Sequence, residues 1–461
     1  MTAVLVGLAM PSLVLLSLGG LLACLAFAAR DLASAGRGGV TPATMYAIGA
    51  AAANLSNMIA HLAADGPNYS LYFPYLVEDK LFLATMLQLA GSILPILGFD
   101  AIARVWSAAI WTDLLPPVSG RIRDKHLVVV GSALALVAIA TRIRFSLEFL
   151  GTLSAVVFFL PHFAAFTLAR AGTERRVRWA LEAALAIAVL EAVRAAYMSY
   201  LRSDIIAPVF AFVIGALLGA RSLRPLRSPH FVPIYVFGAM FVFTFGRFGE
   251  LRSQVSGAER ITALYEYGRD GPDAADTPRQ QTVLMRLSSV NQLSQVGRIV
   301  QEDGFLNGQT LEYLGYAFIP RFLWPEKPTI AKGAWFALRI GQARVLDGRI
   351  TNSVNMTIPG ELYMNFGWAG TILGSLVFGV FLAALWRTTR FWTDPRNTLG
   401  NAFGYYLLWS AFGLGADLQL LVTAIAVYLT FVAAAAVLKG RAAPVRVVSL
   451  ASARRRMEIA R

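Results

Sequence analysis

The chain has 461 residues, of which 57% are hydrophobic and 15% are charged, and its formal net charge at pH 7 is +14. Soluble domains carry about 25% charged residues, so this composition excludes an ordinary soluble domain and indicates an integral membrane protein. The single cysteine, Cys24, excludes an internal disulfide, and the four histidines are scattered without metal-ligand spacing. We therefore expect no metal site.

Apolar runs recur along the whole chain, and a spanning helix needs about 20 such residues. About eleven spans are predicted, at residues 3–28, 43–64, 81–103, 127–141, 147–169, 178–200, 207–220, 231–247, 357–385, 401–414 and 416–437. The first run has no basic leader and is too long for a signal-peptide core, so we expect it to be retained as a helix. Glycine pairs four residues apart are typical of close helix packing, and they occur at Gly215/Gly219, Gly370/Gly374 and Gly400/Gly404.

The distribution of Lys and Arg between alternate short loops predicts the orientation. The loops at 30–42, 104–126, 170–178, 221–229 and 386–400, together with the tail after 437, hold most of the 41 cations. The other short loops hold only Lys80, Arg142, Arg144, Arg194 and Arg202. Since cations collect in cytoplasmic loops, we predict an outer amino terminus and a cytoplasmic carboxyl terminus. The same rule explains much of the positive charge without nucleic acid.

This orientation divides the chain into a membrane domain at 1–247, a large outer loop at 248–356, a second membrane domain at 357–437 and a basic cytoplasmic tail at 438–461. With Arg247 at its edge, the loop keeps roughly a third of the cations, which the cytoplasmic rule permits but does not explain. Its polar, Gly/Pro/Asp-rich stretch at 255–280 is predicted to be mobile. Apolar spacing predicts amphipathic helices over 281–301, lying on the membrane or over the spans, and over 333–345.

Two segments of the loop and its membrane edge concentrate chemistry-bearing side chains. Three prolines between Tyr316 and Pro328 exclude a continuous helix, so this segment holds Arg321, Trp324 and Lys327 on a stiff backbone. In the run that follows residue 357, Glu361 and Asn365 are four apart and share one helix face. Each of these residues could also have a purely structural role. Glu361 would then be a carboxylate favoured by the helix dipole, and Asn365 would form an interhelical hydrogen bond. The aromatic residues at 363–368 would form an interfacial belt, and the charges at 321 and 327 would be solvated.

The segment PRFLWPEKP at 320–328, followed by GELYMNFGWAG at 360–370 opening an apolar run, resembles bacterial O-antigen and exopolysaccharide repeat-unit polymerases of the Wzy type. The local match covers about residues 312–380. The resemblance implies an all-α polytopic, GT-C-like fold with one large extracytoplasmic loop. It also implies a metal-independent and cofactor-free glycosyltransferase of the bacterial cytoplasmic (inner) membrane. Such an enzyme polymerises undecaprenyl-diphosphate-linked oligosaccharides for O-antigen, capsule or exopolysaccharide, alongside a chain-length regulator and a flippase.

The implied chemistry suggests a role for each of these side chains. A lipid diphosphate leaving group needs cations, for which the candidates are Arg321, Lys327, Arg298, Arg339 and Arg247. The attacking sugar hydroxyl needs a carboxylate base, for which Glu361 is the first choice, with Asp270, Asp273, Asp276, Glu302 and Asp303 as alternatives. Tyr363 and Asn365 are predicted to orient sugars, and Trp324 to stack on one.

Four arginines lie in the short outer loops, and three other protein classes compete with the polymerase. We expect Arg142, Arg144, Arg194 and Arg202 to be solvated, with Glu191 and Arg194 pairing; the alternative is a second lipid-diphosphate site. An O-antigen ligase would need an outer-loop histidine, and residues 231–461 contain none. A flippase or transporter would need charges within its spans, where few occur. A non-catalytic export scaffold would show no convergent cavity.

Overall fold

The computed structural model describes residues 2–33, 40–63, 76–105, 115–144, 150, 154–177, 179–198, 202–222, 224–244, 288–319, 321, 323–328, 332–346, 349–350, 353–394, 396–412 and 418–441. Arg247, the stretch at 255–280 with its three aspartates, and the tail beyond 441 lie outside these residues. Within them the chain is helical, apart from a short antiparallel ladder of β1 (Val345–Leu346) with β2 (Arg349–Ile350). The predicted helical class is confirmed.

The helices follow in chain order as α1 (Thr2–Ala33), α2 (Pro42–Ala63), α3 (Leu81–Val105), α4 (Asp124–Arg144), α5 (Ser154–Glu174), α6 (Ala180–Met198), α7 (Arg202–Ala220), α8 (Val232–Thr244), α9 (Val290–Asp303), α10 (Tyr313–Tyr316), α11 (Lys332–Arg339), α12 (Ile358–Thr389), α13 (Thr398–Phe412) and α14 (Gln419–Arg441). Short 3-10 turns occur at Glu78–Lys80, Arg224–Arg227, Pro229–Phe231 and Gln309–Leu311. Each predicted apolar run overlaps one of these helices.

Within the part of the chain that the structure describes, six helices are long and apolar enough to cross a membrane. They comprise Pro11–Ala33, Glu78–Ile102, His126–Ile143, Ser154–Glu174, Ile358–Thr389 and Gln419–Leu438, while Asp204–Ala220 is a shorter apolar helix. Large apolar side chains such as Val129, Val137 and Leu373 lie exposed on these helices, as lipid-facing side chains do. The protein is therefore membrane-embedded, whereas eleven crossings stay a prediction.

Glycines allow the closest helix contacts in the bundle. A Cβ on Gly215 or Gly219 of α7 would collide with the backbone of α5 at Phe166 and Arg170. The predicted close packing at this pair is therefore confirmed. Gly98 of α3 meets the Leu376 carbonyl of α12 in the same way. Small residues let the backbones approach where lipid supplies no hydrophobic driving force between helices.

Helix α12 contains a chain reversal that the sequence patterns did not predict. Gly367 has φ 63° and ψ −152°, which breaks the helix into Ile358–Phe366 and a longer second part. The Thr371 hydroxyl oxygen lies 3.5 Å from the Pro359 carbonyl oxygen, although twelve residues of continuous helix would separate them by about 18 Å. The first part, which we call the half-helix, therefore folds back along the second. Gly374 packs against Leu362 across this hairpin.

The segment before α12 forms a structured cap, which we define as the described residues between 288 and 357. Its helix α9 enters the bundle, because the Ser288 hydroxyl donates to the Asn57 amide oxygen of α2 and the Ser289 hydroxyl donates to the Gln88 amide oxygen of α3. These contacts with α2 and α3 agree with the predicted placement of this helix over the spans rather than on the membrane. The cap has its own apolar core, in which Val296 and Phe336 pack with Met364 of the half-helix.

Two arginines expected to be solvated are buried. Arg194 of α6 binds Glu191 with Nη2–Oε1 at 2.8 Å, and Arg142 of α4 binds the same carboxylate oxygen. The side chains of Arg142, Arg194 and Glu191 are 9%, 6% and 0% exposed. The predicted pairing of Glu191 with Arg194 is confirmed, but the prediction of surface solvation for Arg142 and Arg194 is wrong. A carboxylate among apolar helices needs cationic partners, and both arginines are buried because they pair with Glu191.

Candidate functional site

The half-helix begins at a capped end that points into the protein. Thr357 adopts φ 63°, and its hydroxyl accepts a hydrogen bond from the Gly360 amide at 3.4 Å. Pro359 occupies the first turn, where its missing N–H costs nothing. Glu361 follows in the same turn, where the helix dipole favours a negative charge. The sequence interpretation of a first-turn carboxylate therefore agrees with the geometry.

Glu361 forms a buried ion pair with Lys332, the first residue of α11. The Lys332 ammonium lies 2.8 Å from Oε2 and 3.1 Å from Oε1 of Glu361. The Glu361 side chain is 0% exposed and that of Lys332 is 10% exposed. The same ammonium donates to the Tyr313 hydroxyl at 3.0 Å and sits 4.7 Å from the centroid of its ring. The ammonium and its hydrogen bonds compensate the desolvation of this buried carboxylate.

Asn365 connects the far end of the half-helix to the cap. Its amide nitrogen donates to the Thr310 hydroxyl at 2.6 Å and to the Glu361 carbonyl at 2.8 Å, and its amide oxygen accepts from the Gly308 N–H at 2.9 Å. The Leu306 N–H donates to the Met364 carbonyl at 3.0 Å, a group that the break at Gly367 leaves without a helical partner. Asn365 was predicted to orient a sugar. In this conformation its amide NH₂ group donates to two protein oxygens instead.

Arg321 and Lys327 lie in a compact loop that follows α10. The Lys327 ammonium donates to the carbonyls of Ala317 and Ile319 at 2.9 and 2.8 Å. Arg321 donates to the Lys327 carbonyl at 2.9 Å. Burial and, to a smaller extent, the nearby Arg321 charge lower the pKa of Lys327. Both predicted phosphate ligands therefore help to fix this loop, which adjoins the Lys332–Tyr313 contact through α10.

Arg298 and Arg339 form a separate charged cluster on the cap. Arg298 binds Glu302 at 2.9 Å, and Arg339 binds Glu302 at 3.0 Å and Asp303 at 2.8 Å. The Arg298 guanidinium also donates to the Arg339 carbonyl at 3.1 Å, which ties α9 to α11. The Asp303 carboxylate raises the pKa of Arg339. Two predicted cations and two alternative bases thus meet here and compensate one another.

The predicted aromatic ligands lie at the rim of the half-helix and in the loop after α10. Tyr363 packs edge-on against Phe305 and Trp368, with ring centroids 6.1 and 5.6 Å apart. Trp324 packs edge-on against Tyr316 at 6.1 Å and remains partly exposed. Of the two predicted ligands, Trp324 is more exposed than Tyr363.

A small cavity of about 40 Å³ lies inside the bundle beneath the cap. It is lined by polar and small groups that include Tyr46, Gln88, Ser92, Ser289, Thr357 and Pro359. Ser289 is the residue before α9, and Thr357 is the residue before the half-helix. Two helix amino termini therefore meet at one cavity. Gly91, which also lines the cavity, lies ten residues after the start of α3 at Leu81. At 1.5 Å per residue this places it about 15 Å along that helix, so the cavity lies well below the helix end.

Sequence reasoning missed Lys332, which binds the Glu361 carboxylate, and Tyr313, which contacts the Lys332 ammonium. Lys332 stands one residue before the predicted helix at 333–345 and is one of many loop cations. The usable signal was the carboxylate itself, because an acid that opens an apolar run needs a cationic partner. Among the described residues, no three His, Cys, Asp or Glu side chains group closely enough to hold a metal ion.

These elements define a helical membrane protein with a structured cap, a broken helix and a buried carboxylate–ammonium pair between them. Comparison of the chain with family models, curated proteins and solved structures gave no match.

Proposed function

We propose that the protein is a glycosyltransferase that polymerises lipid-diphosphate-linked oligosaccharide repeat units at the outer face of a bacterial cytoplasmic membrane. The observation that carries the proposal is the buried Glu361–Lys332 pair, with both carboxylate oxygens within 3.1 Å of the ammonium. An ionisable group kept inside a membrane-embedded protein is a functional-site hypothesis by default. The resemblance of residues 320–328 and 360–370 to the Wzy-type polymerases supplies the reaction class.

In the proposed reaction, a hydroxyl oxygen of the acceptor sugar forms a bond to the anomeric carbon of the donor glycan. The bond between that carbon and the lipid diphosphate breaks, and the diphosphate leaves with the electron pair. Glu361 accepts the proton of the attacking hydroxyl. Cations of the cap stabilise the charge that develops on the leaving group. The reaction balances without a metal ion or a nucleotide sugar.

The proposed mechanism requires the cap to move, because Glu361 is buried. Glu361 is 0% exposed, so a sugar hydroxyl reaches it only after part of the cap has moved. The start of α11 and α10 lie beside it, since Lys332 binds the carboxylate and Tyr313 contacts the Lys332 ammonium. We therefore propose that substrate binding displaces these elements, and that Arg321, which adjoins them, serves the diphosphate. Arg298 and Arg339 bind Glu302 and Asp303, so a diphosphate would have to displace these carboxylates to bind there.

The test is complementation of a gene deletion in the native bacterium, with the length of lipid-linked and surface glycan read on a gel. The deletion should leave single repeat units, and wild type should restore long chains. Glu361→Gln and Arg321→Ala should fail to restore them at normal protein level. Glu312→Gln, which alters an exposed carboxylate of the cap, should succeed. Long glycan with both site variants contradicts the proposal, and long glycan stranded on its lipid carrier after deletion favours a ligase or an exporter.

One observation favours a second candidate, a flippase or transporter of anionic lipid-linked glycans. The amino termini of α9 and the half-helix both open on the cavity inside the bundle. Broken helices with amino termini at the middle of the membrane bind anionic substrate groups in several transporter folds. Purified protein in liposomes distinguishes the two functions. Transfer between two lipid-linked units without movement across the bilayer supports the polymerase, and movement without a new glycosidic bond supports the transporter.

A further inference from the structure

The loop after α10 shows an inverted polarity. Its charged Lys327 side chain is 5% exposed, whereas Leu323 is 68% exposed. Phe318, Ile319 and Trp324 are exposed as well. A loop that faces water normally does the opposite, because long cationic side chains keep their charged ends in solvent. Lys is also among the residues that are almost never buried unless they are paired.

Hydrogen bonds within the loop hold the Lys327 side chain in its buried position. The buried Lys327 ammonium binds two carbonyls, those of Ala317 and Ile319, at 2.9 and 2.8 Å. The Lys327 N–H donates to the Trp324 carbonyl at 3.1 Å, which closes the second half of the loop. The Lys327 ammonium is thus satisfied within the loop, while Phe318, Ile319, Leu323 and Trp324 are exposed. A fixed loop of this kind suits surroundings that offer few hydrogen bonds.

The position of the loop identifies those surroundings. Tyr313 and Ala317, at its base, pack on Val422. Val422 lies one turn inside Gln419–Leu438, a helix long and apolar enough to cross a membrane. The outward face of the same helix carries the exposed Leu429 and Val437, so the loop stands beside a lipid-facing surface at the end of a span.

We infer that the side chains of Phe318, Ile319, Leu323 and Trp324 insert into the lipid leaflet around the first turns of α14. The partner of this surface is bilayer lipid. Tryptophan prefers the membrane–water interface, and the buried lysine avoids exposing its hydrogen-bond donors to the acyl chains. The inference does not depend on the proposed enzymatic function, since it concerns only the loop and the adjoining span.

The experiment measures the depth of a spin label. Cys24 is buried, and a Cys24→Ala background leaves the introduced thiol as the single cysteine. Labels are placed by Leu323→Cys and Phe318→Cys in the full chain, reconstituted in phosphatidylcholine/phosphatidylglycerol liposomes. Leu429→Cys, on the exposed face of α14, is the lipid control, and Gln301→Cys, exposed on α9, is the water control. Power saturation compares the access of oxygen with that of a neutral nickel chelate.

Labels at 323 and 318 should be more accessible to oxygen than to the nickel chelate, as at 429, with the opposite preference at 301. The expected difference between 323 and 301 is a change of sign in the depth parameter. Nickel access at 323 equal to that at 301 overturns the inference, whatever the label at 318 shows, and would mean that the surface faces water.

Discussion

Removal of the Lys332 ammonium is the sharpest test of the site geometry. Lys332→Met leaves the Glu361 carboxylate buried without its cation. Removing one partner of a buried ion pair costs about 3–5 kcal/mol, because the remaining charge is not compensated. Unfolding entropy is about 2.1 cal/mol/K per residue. If the 461 residues melt as one unit, the melting temperature should therefore fall by roughly 3–5 °C.

The assay is thermal unfolding in detergent, followed by the loss of monodisperse protein on size exclusion. The double variant Lys332→Met/Glu361→Met removes both charges at similar volume, and such replacements are often close to neutral, so it should recover most of the loss. Asp79→Asn is the matched control. Its carboxylate is 65% exposed and lies 2.9 Å from the Lys80 ammonium, and a surface pair contributes about 1 kcal/mol or less. A double variant as unstable as the single one would refute the buried-pair interpretation.

Three further variants test the fold, the first two by the same thermal assay and the third by the yield of folded protein. Gly367→Ala should destabilise by about 1–3 kcal/mol, because its φ is 63° and the Phe305 ring lies 3.0 Å from the added Cβ, whereas Gly19→Ala, which meets nothing within 4 Å, should not. Glu191→Gln should cost about 3–5 kcal/mol by removing the carboxylate that two buried guanidinium groups bind, and the exposed Glu182→Gln should have little effect. Gly219→Val should separate α7 from α5 and lower the yield of folded protein, and a yield equal to wild type would argue against that contact.

The helices were predictable because the apolar runs that form them leave few alternatives in a membrane. The run at 81–103 corresponds to Leu81–Val105, and that at 178–200 to Ala180–Met198. The reversal within α12 was not predictable in this way. Gly367 lies in an apolar, helix-compatible stretch, and a glycine there also fits an uninterrupted helix. Its positive φ and the contact between Thr371 and Pro359 exist only in the folded chain.

The candidate site was predictable in part. Glu361 was identified from its place at the start of an apolar run, but its partner was not, because the choice of Lys332 among the loop cations depends on how α11 docks onto the half-helix. The burial of Arg142 was missed for a related reason. Charge counting along the sequence treats an arginine near a helix end as a loop residue, whereas Glu191 on a neighbouring helix pairs with it.

The pairing of Glu361 with Lys332 has a consequence for the proposed transfer. While the ammonium lies 2.8 Å from the carboxylate, it satisfies the oxygen that would accept a proton. A diphosphate carries more negative charge than a carboxylate, and lysine binds phosphate oxygens as a point charge. A donor headgroup that draws Lys332 away would therefore release Glu361 as a base only when substrate is present. Lys332→Met removes the cation that would bind the donor diphosphate, so it should abolish glycan polymerisation although Glu361 is intact, and Lys332→Arg should retain part of it. Wild-type polymerisation by Lys332→Met would restrict the ammonium to a structural role.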